Sequence, residues 1–259
     1  MQIKRDDRVR MERAHVLAWP ALSTANIDGW LWRSSGGGSQ RAISVSTVDF
    51  TGNDLDAAID AVEARYLALG VSARFQTFDD TVPPGLADAL RARGYRESAP
   101  TVTMFRRNDT AADGEAFSDV EYRDHPWAEW QSVYLNTVTE NRRVINSHIL
   151  DAIPWPRTFV GLRRGGRIVS TALCVAGFNC AVIECVATDP AERRLGGAQK
   201  VLAGVFAWAA RQQADLLGLQ VVADNVPAMR LYEALDFVPG AVNRFWQRQA
   251  SSADGDVNP

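Results

Sequence analysis

The stretch Cys185-Val186-Ala187-Thr188-Asp189-Pro190-Ala191-Glu192-Arg193-Arg194-Leu195-Gly196-Gly197-Ala198 constrains the chain more than any other. An apolar strand runs into a turn, and the turn into a helix that starts on small residues. The first turn of a helix carries unpaired N–H donors and about half a positive charge, so it seats an anion wherever no side chain blocks the approach. Gly196, Gly197 and Ala198 remove the side chains, and Arg193 and Arg194 add guanidinium forks suited to phosphate oxygens. A P-loop is excluded, because no Lys followed by Ser or Thr comes after Gly197. A dinucleotide fingerprint is excluded by the glycine spacing. What remains is R-x-x-G-x-A, a diphosphate cradle or a glycine-loosened helix start with solvated arginines.

Composition narrows the partners. The 259 residues are 46% hydrophobic and 23% charged, which is ordinary for a soluble globule and suffices for one large or two small domains. Lys plus Arg total 28 against 31 acidic residues, a net charge of −3 and the wrong sign for binding nucleic acid through phosphate neutralisation. Cys174, Cys180 and Cys185 form no CxxC and read as small buried hydrophobes in a reducing, cytoplasmic setting. His15, His125 and His148 are scattered, so no metal site is expected. No apolar run is long enough to span a bilayer, and Met1 to Arg13 is too charged for a secretory signal.

Periodicity gives an α+β chain cut in two near the small, acidic stretch Asn108 to Ser118, with domains at 1–118 and 119–250 and a disordered tail at 251–259. The first part reads as a helix at Val9 to Ala18 and strands at Asn26 to Arg33 and Arg41 to Ser46 joined by a glycine hairpin. A helix at Asp54 to Leu69, a strand at Ala73 to Phe78, a helix at Pro84 to Arg93 and a strand at Thr101 to Arg106 follow. The second reads as a strand and helix within Val120 to Thr137, then a polar stretch. Strands at Thr158 to Arg163, Arg167 to Ala176 and Ala181 to Thr188 lead to a helix at Gly197 to Gln212, a strand at Leu217 to Ala223, a helix at Pro227 to Leu235 and a strand at Ala241 to Arg248. Leu90 to Tyr95 and Tyr232 to Phe237 each close a helix with Gly or Asp and an aromatic before a strand, as copies of one unit would.

Pro190, Arg193, Gly196 and Ala198 resemble the acetyl-CoA signature of the GNAT N-acetyltransferases. Asn225 to Phe237 is similar to that family's second signature, with Asp236 where the family closes on glycine. Two signatures in order make the resemblance specific over Val120 to Arg248. It implies two GNAT-like units, each a mixed, mostly antiparallel sheet flanked by helices, with the first unit degenerate because it lacks R-x-x-G-x-A. It further implies acetyl-CoA as co-substrate, held by Val186, Ala187, Thr188, Arg193, Arg194, Leu195, Gly196, Gly197, Ala198 and Asn225. The acceptor would be a small-molecule or peptide amine, attacked in a ternary complex. Tyr232 corresponds to the family's general acid; on its own pattern it is equally a packing tyrosine. Asn225 is a cofactor contact or a plain helix cap. Glu184, a carboxylate in an apolar strand, is a general base or one half of a salt bridge. The tryptophans, among them Trp19, line an acceptor pocket or belong to the core, and Arg33, Arg41 and Arg74 meet a substrate carboxylate or stay solvated. The alternative function is a non-catalytic acyl-CoA-binding or regulatory module.

Overall fold

The computed structural model describes residues 1–98, 100–110 and 118–248. Most of the expected linker and all of the expected tail at 251–259 lie outside the described residues. Among the described residues, the first half comprises α1 (Arg5–Ala18), β1 (Ser23–Ile27), β2 (Trp30–Ser34), β3 (Val45–Ser46), α2 (Leu55–Leu67), β4 (Arg74–Thr77), α3 (Leu86–Ala92), β5 (Tyr95–Glu97) and β6 (Thr101–Arg107). The second comprises β7 (Val120–Arg123), α4 (Ala128–Leu135), α5 (Glu140–Ala152), β8 (Arg157–Arg164), β9 (Arg167–Gly177), β10 (Cys180–Thr188), α6 (Gly197–Arg211), β11 (Leu216–Val222), α7 (Val226–Glu233) and β12 (Val238–Arg248). The fold is α+β, and one mostly antiparallel sheet runs β1-β2-β3-β4-β12-β6-β11-β10-β9-β8-β7, with β5 on β12.

Each half contains one parallel neighbour pair, β3 with β4 and β10 with β11. Each then exchanges its closing strand. Thr101 to Arg107 of the first half lies between β11 and β12 of the second. In return, Arg244 to Arg248, the end of β12, lies between β4 and β5 of the first. The corners before the exchange match: Gly94 (φ 81°) and Asp236 (φ 63°) both take the left-handed conformation that ends a helix. Gly240 is needed within β12 because a Cβ there would lie 2.5 Å from the ring of Phe105 on β6.

Three apolar clusters fill the layers. α6 presents Val201, Leu202, Val205, Phe206 and Ala209, spaced three or four apart, to the sheet beside Leu162, Val169 and Leu219. The opposite face packs α1 and α4 against β9 and β10, with Met11, Trp130, Phe159 and Val175 fully or nearly enclosed. α2 and α3 cover the first half's strands through Ile59, Val62, Tyr66 and Leu90.

Three expectations change. The single strand at Asn26 to Arg33 is a hairpin, because Asp28 (φ 49°) and Gly29 (φ 89°) make the two-residue left-handed turn whose twist suits paired strands. The strand at Arg41 to Ser46 is a 3-10 turn at Gln40–Ile43 followed by the short β3, so the glycine loop closes only one residue pair, Leu31 with Ser46. The polar stretch after Thr137 is α5, which buries Asn146, Ile149 and Leu150 on one narrow face.

Candidate active site

The site begins where two strands part. β10 and β11 pair only over Cys180 to Val182 and Leu216 to Gly218, then diverge. On its other edge β10 stays on β9 to Thr188, across a bulge between Glu184 and Ala187 in which Cys185 takes φ 54°. Beyond Val182 the edge of β10 facing β11 has no strand partner among the described residues. The Asp189 N–H donates to the Val169 carbonyl on β9. Alternation then turns the Ala187 backbone toward β9 and the Thr188 backbone toward the open cleft. Thr188 is held by a 2.9 Å hydroxyl contact with Ser170.

The cleft leads to the phosphate-type turn. Asp189 caps a short 3-10 turn at Pro190–Glu192, accepting from the Ala191 N–H. Arg164 and Arg167 of the β8–β9 hairpin brace it through Glu192 and Asp189, at 2.9 and 2.6 Å. Arg193, Arg194 and Leu195 are exposed, and neither arginine forms an ion pair among the described residues. Gly196 is the N-cap of α6 at φ 76° with no side-chain cap, so the first N–H groups of α6 point outward unsatisfied. Gly197 sits under this turn, where a Cβ would lie 2.2 Å from the Ser170 hydroxyl. The equivalent helix of the first half is already served: the Asp54 carboxylate accepts from the Ala57 N–H, with Asp56 beside it. An anion would meet fixed negative charge there.

On the far side of β10, Glu184 answers the alternative left open by its sequence. Arg41, from the first half, grips both carboxylate oxygens at 2.5 and 2.8 Å, and His15 Nδ1 lies 3.7 Å away. Burial pushes the Glu184 pKa up, but the Arg41 charge and hydrogen bonds outweigh it and hold it at about 2. A carboxyl so acidic is a weak base. Glu184 and Arg41 wall a pocket of about 270 Å³ with Trp19, Tyr134, Thr137, Arg142 and Asn146. Arg41 also lies over the Trp19 ring at 5.5 Å, and Asn146 donates to the Tyr134 hydroxyl at 3.1 Å. Trp19 and Arg41 come to β10 from the first half, whereas Tyr134 comes from α4 of the second half.

The Glu184 pair makes a testable contribution to stability. The folded pKa lies below the ordinary value of 4.5, so its stabilisation is present above that pH and is lost as pH falls toward about 2. Glu184→Gln leaves Arg41 unpaired and should destabilise by about 3 kcal/mol at pH 7. The gap in Tm between wild type and variant should close between about pH 4.5 and pH 2. A gap independent of pH would refute this account.

Tyr232, on α7, is 8% exposed and packs edge-on against Phe237. Its hydroxyl makes no hydrogen bond among the described residues, and burial, then the Glu184 charge, push its pKa up to about 12. Asn225 caps α7, accepting from the Ala228 N–H at 3.3 Å. Of the tryptophans considered, Trp30, Trp32, Trp127 and Trp130 are core, Trp155 is exposed, and Trp19 reaches the pocket. The three cysteines are free and buried, and burial raises their pKa values, as it must for inert core thiols. Among the described residues there is no cluster of metal-ligating side chains, and no helix is long and apolar enough to cross a membrane.

Comparison with known proteins gives the family and the fold. A family model described as "Probable histone acetyltransferase Rv0428c C-terminal" matches residues 7–246. The chain is 25% identical over 243 residues to the "Uncharacterized N-acetyltransferase YobR" of Bacillus subtilis (strain 168), covering 90% of this chain and 96% of that one. Among solved structures, a GCN5-related N-acetyltransferase from Kribbella flavida superposes with a TM-score of 0.67 at 17% identity, over 95% of this chain and 97% of that one. A tandem GNAT protein from the clavulanic acid biosynthesis pathway has a TM-score of 0.59 at 15% identity, over 98% of both chains.

Proposed function

The chain belongs to the Rv0428c C-terminal acetyltransferase family within the GNAT N-acetyltransferases, and from that premise we propose that it transfers an acetyl group from acetyl-CoA to a primary amine on a small molecule or peptide. The observation that carries this reading is the open edge of β10 leading, through the turn at Asp189 to Gly196, to the N-terminus of α6, which no side chain caps. Those two features fit the two parts of coenzyme A. An extended pantetheine arm adds to the edge at Val186 to Thr188 as a strand would. A diphosphate settles on the N–H groups beyond Gly196, Gly197 and Ala198, with Arg193 and Arg194 beside it. The second unit, 119–250, is the reactive one; the first, 1–118, is degenerate at its helix cap and contributes to the acceptor wall.

When bound, acetyl-CoA supplies a thioester carbonyl that the amine nitrogen attacks, the C–S bond breaking as the amide forms. Tyr232 holds its proton at neutral pH and delivers it to the leaving sulfur. Its apolar surroundings keep water from competing. Arg41 and Glu184 shape the acceptor pocket as positioning residues, Glu184 fixing the guanidinium rather than taking the amine's proton, which leaves to water, and water returns a proton to the Tyr232 phenolate. Holding both reactants in one cleft supplies much of the acceleration without covalent catalysis. Asn225 acts on the same site by fixing the start of α7, which carries Tyr232.

Free thiol release from acetyl-CoA, measured over a panel of amines, tests the proposal. Turnover with some amine is the expected result; stabilisation by acetyl-CoA with no thiol release under any amine would favour a binding or regulatory module. Tyr232→Phe should lower kcat by about ten- to a thousandfold with acetyl-CoA affinity nearly intact. Unchanged kcat would remove the acid role from Tyr232.

A further inference from the structure

One cavity lies away from the cleft. About 700 Å³ in volume, it opens between α1, the β1–β2 hairpin, β3 and the segment after α5, with walls that include Val16, Leu17, Leu31, Val48 and Pro154. That size falls within the roughly 300–1,000 Å³ typical of small-molecule sites. An ion pair of Arg13 with Asp49 stands at its edge, already neutralised at 2.5 Å.

One wall residue is out of character. Arg33 is 1% exposed and forms no ion pair among the described residues. Its guanidinium donates to three neutral acceptors: Nε to the Ser44 carbonyl at 2.8 Å, and Nη2 to the Ser44 hydroxyl at 3.1 Å and to Gln76 Oε1 at 2.6 Å. Nη1 forms no hydrogen bond among the described residues. The nearest negative group, Glu12, reaches it only through the Gln76 amide, and burial pulls the Arg33 pKa down to about 10. A buried cation without a direct counter-ion is costly, and arginine fulfils its geometry with a planar anion.

We propose that this cavity binds an organic carboxylate with an apolar body, its carboxylate meeting Arg33 and its hydrocarbon lying along Val16, Leu17, Leu31 and Val48. The site is separate from the acetyl-CoA cleft and does not depend on the activity proposed above. It accounts for an arginine on a strand face that is otherwise apolar at Leu31.

The test uses the full chain, with octanoate and phenylacetate as probes and octanol as the neutral match, read by calorimetry and thermal shift. Octanoate should bind at least tenfold more tightly than octanol and raise Tm in a concentration-dependent way. Arg33→Met should abolish that preference. Because this change also strips three hydrogen bonds and could unfold the region, Val48→Trp provides a second arm: it fills the cavity, leaves Arg33 in place and should abolish binding of all three probes. Equal affinity for octanoate and octanol, octanoate binding unaffected by Val48→Trp, or no binding of either acid at millimolar concentration would each overturn the proposal.

Discussion

Gly196→Glu is expected to weaken acetyl-CoA binding at least a hundredfold while leaving the fold largely intact. The reasons are local. Gly196 sits at φ 76°, where a side chain costs about 1 kcal/mol or more, but a Cβ there meets only Gln199 Oε1 at 3.8 Å. The new carboxylate would accept the unsatisfied N–H groups at the start of α6 and place negative charge where the diphosphate belongs. The first half shows the same arrangement built in, with Asp54 capping α2. Gly196→Asn separates the causes, since asparagine tolerates the left-handed conformation and adds no charge. It should weaken binding less than tenfold. Calorimetric titration with acetyl-CoA checks both; a normal dissociation constant for the glutamate variant would remove the anion seat from the proposal.

The parts of the molecule legible in its sequence are those whose cause is local. α6 announces itself through Leu202, Val205, Phe206 and Ala209 at helical spacing, and β8 to β10 through long apolar runs between glycine turns. The turn at Asp28-Gly29 is equally local, because Asp-Gly between strand residues is a strong hairpin signal that splits Asn26 to Arg33 into two strands. α5 is less readable, since most of its surface is polar and only Asn146, Ile149 and Leu150 are enclosed. The glycine turn before α6 is local, and it can be read directly from Gly196-Gly197-Ala198. The pocket at Glu184 is not local: Arg41 lies 143 residues before Glu184, and nothing in either neighbourhood specifies the other. Glu184 therefore stays ambiguous in sequence, and it is the arginine brought in from the first half that makes it a salt-bridge partner with a depressed pKa.

Residues 119–248 produced alone should fail to form a stable, cooperatively melting protein, whereas the same polypeptide produced together with residues 1–118 should recover acetyl-CoA binding. The exchanged strands are the cause. β6 supplies the neighbour of β11 from Leu216 to Val222 and the neighbour of β12 from Val238 to Asn243. Without it, both strands present open edges, which pair promiscuously with other chains. β6 also brings Met104 and Phe105 into the core with no exposure, each worth about 1.5–3 kcal/mol of burial, and Phe105 packs on the bare backbone of Gly240. The far end of β12 would lose β4 and β5, leaving Trp246 stripped of a setting in which it is 1% exposed and donates to the Thr77 hydroxyl. Supplying the first half as a separate chain restores every one of these contacts, because the exchange depends on strand pairing and not on a continuous backbone between residues 110 and 118. A monomeric 119–248 polypeptide with a sharp thermal transition and wild-type acetyl-CoA affinity would show that the two halves stand independently, and that the exchanged strands contribute little to either.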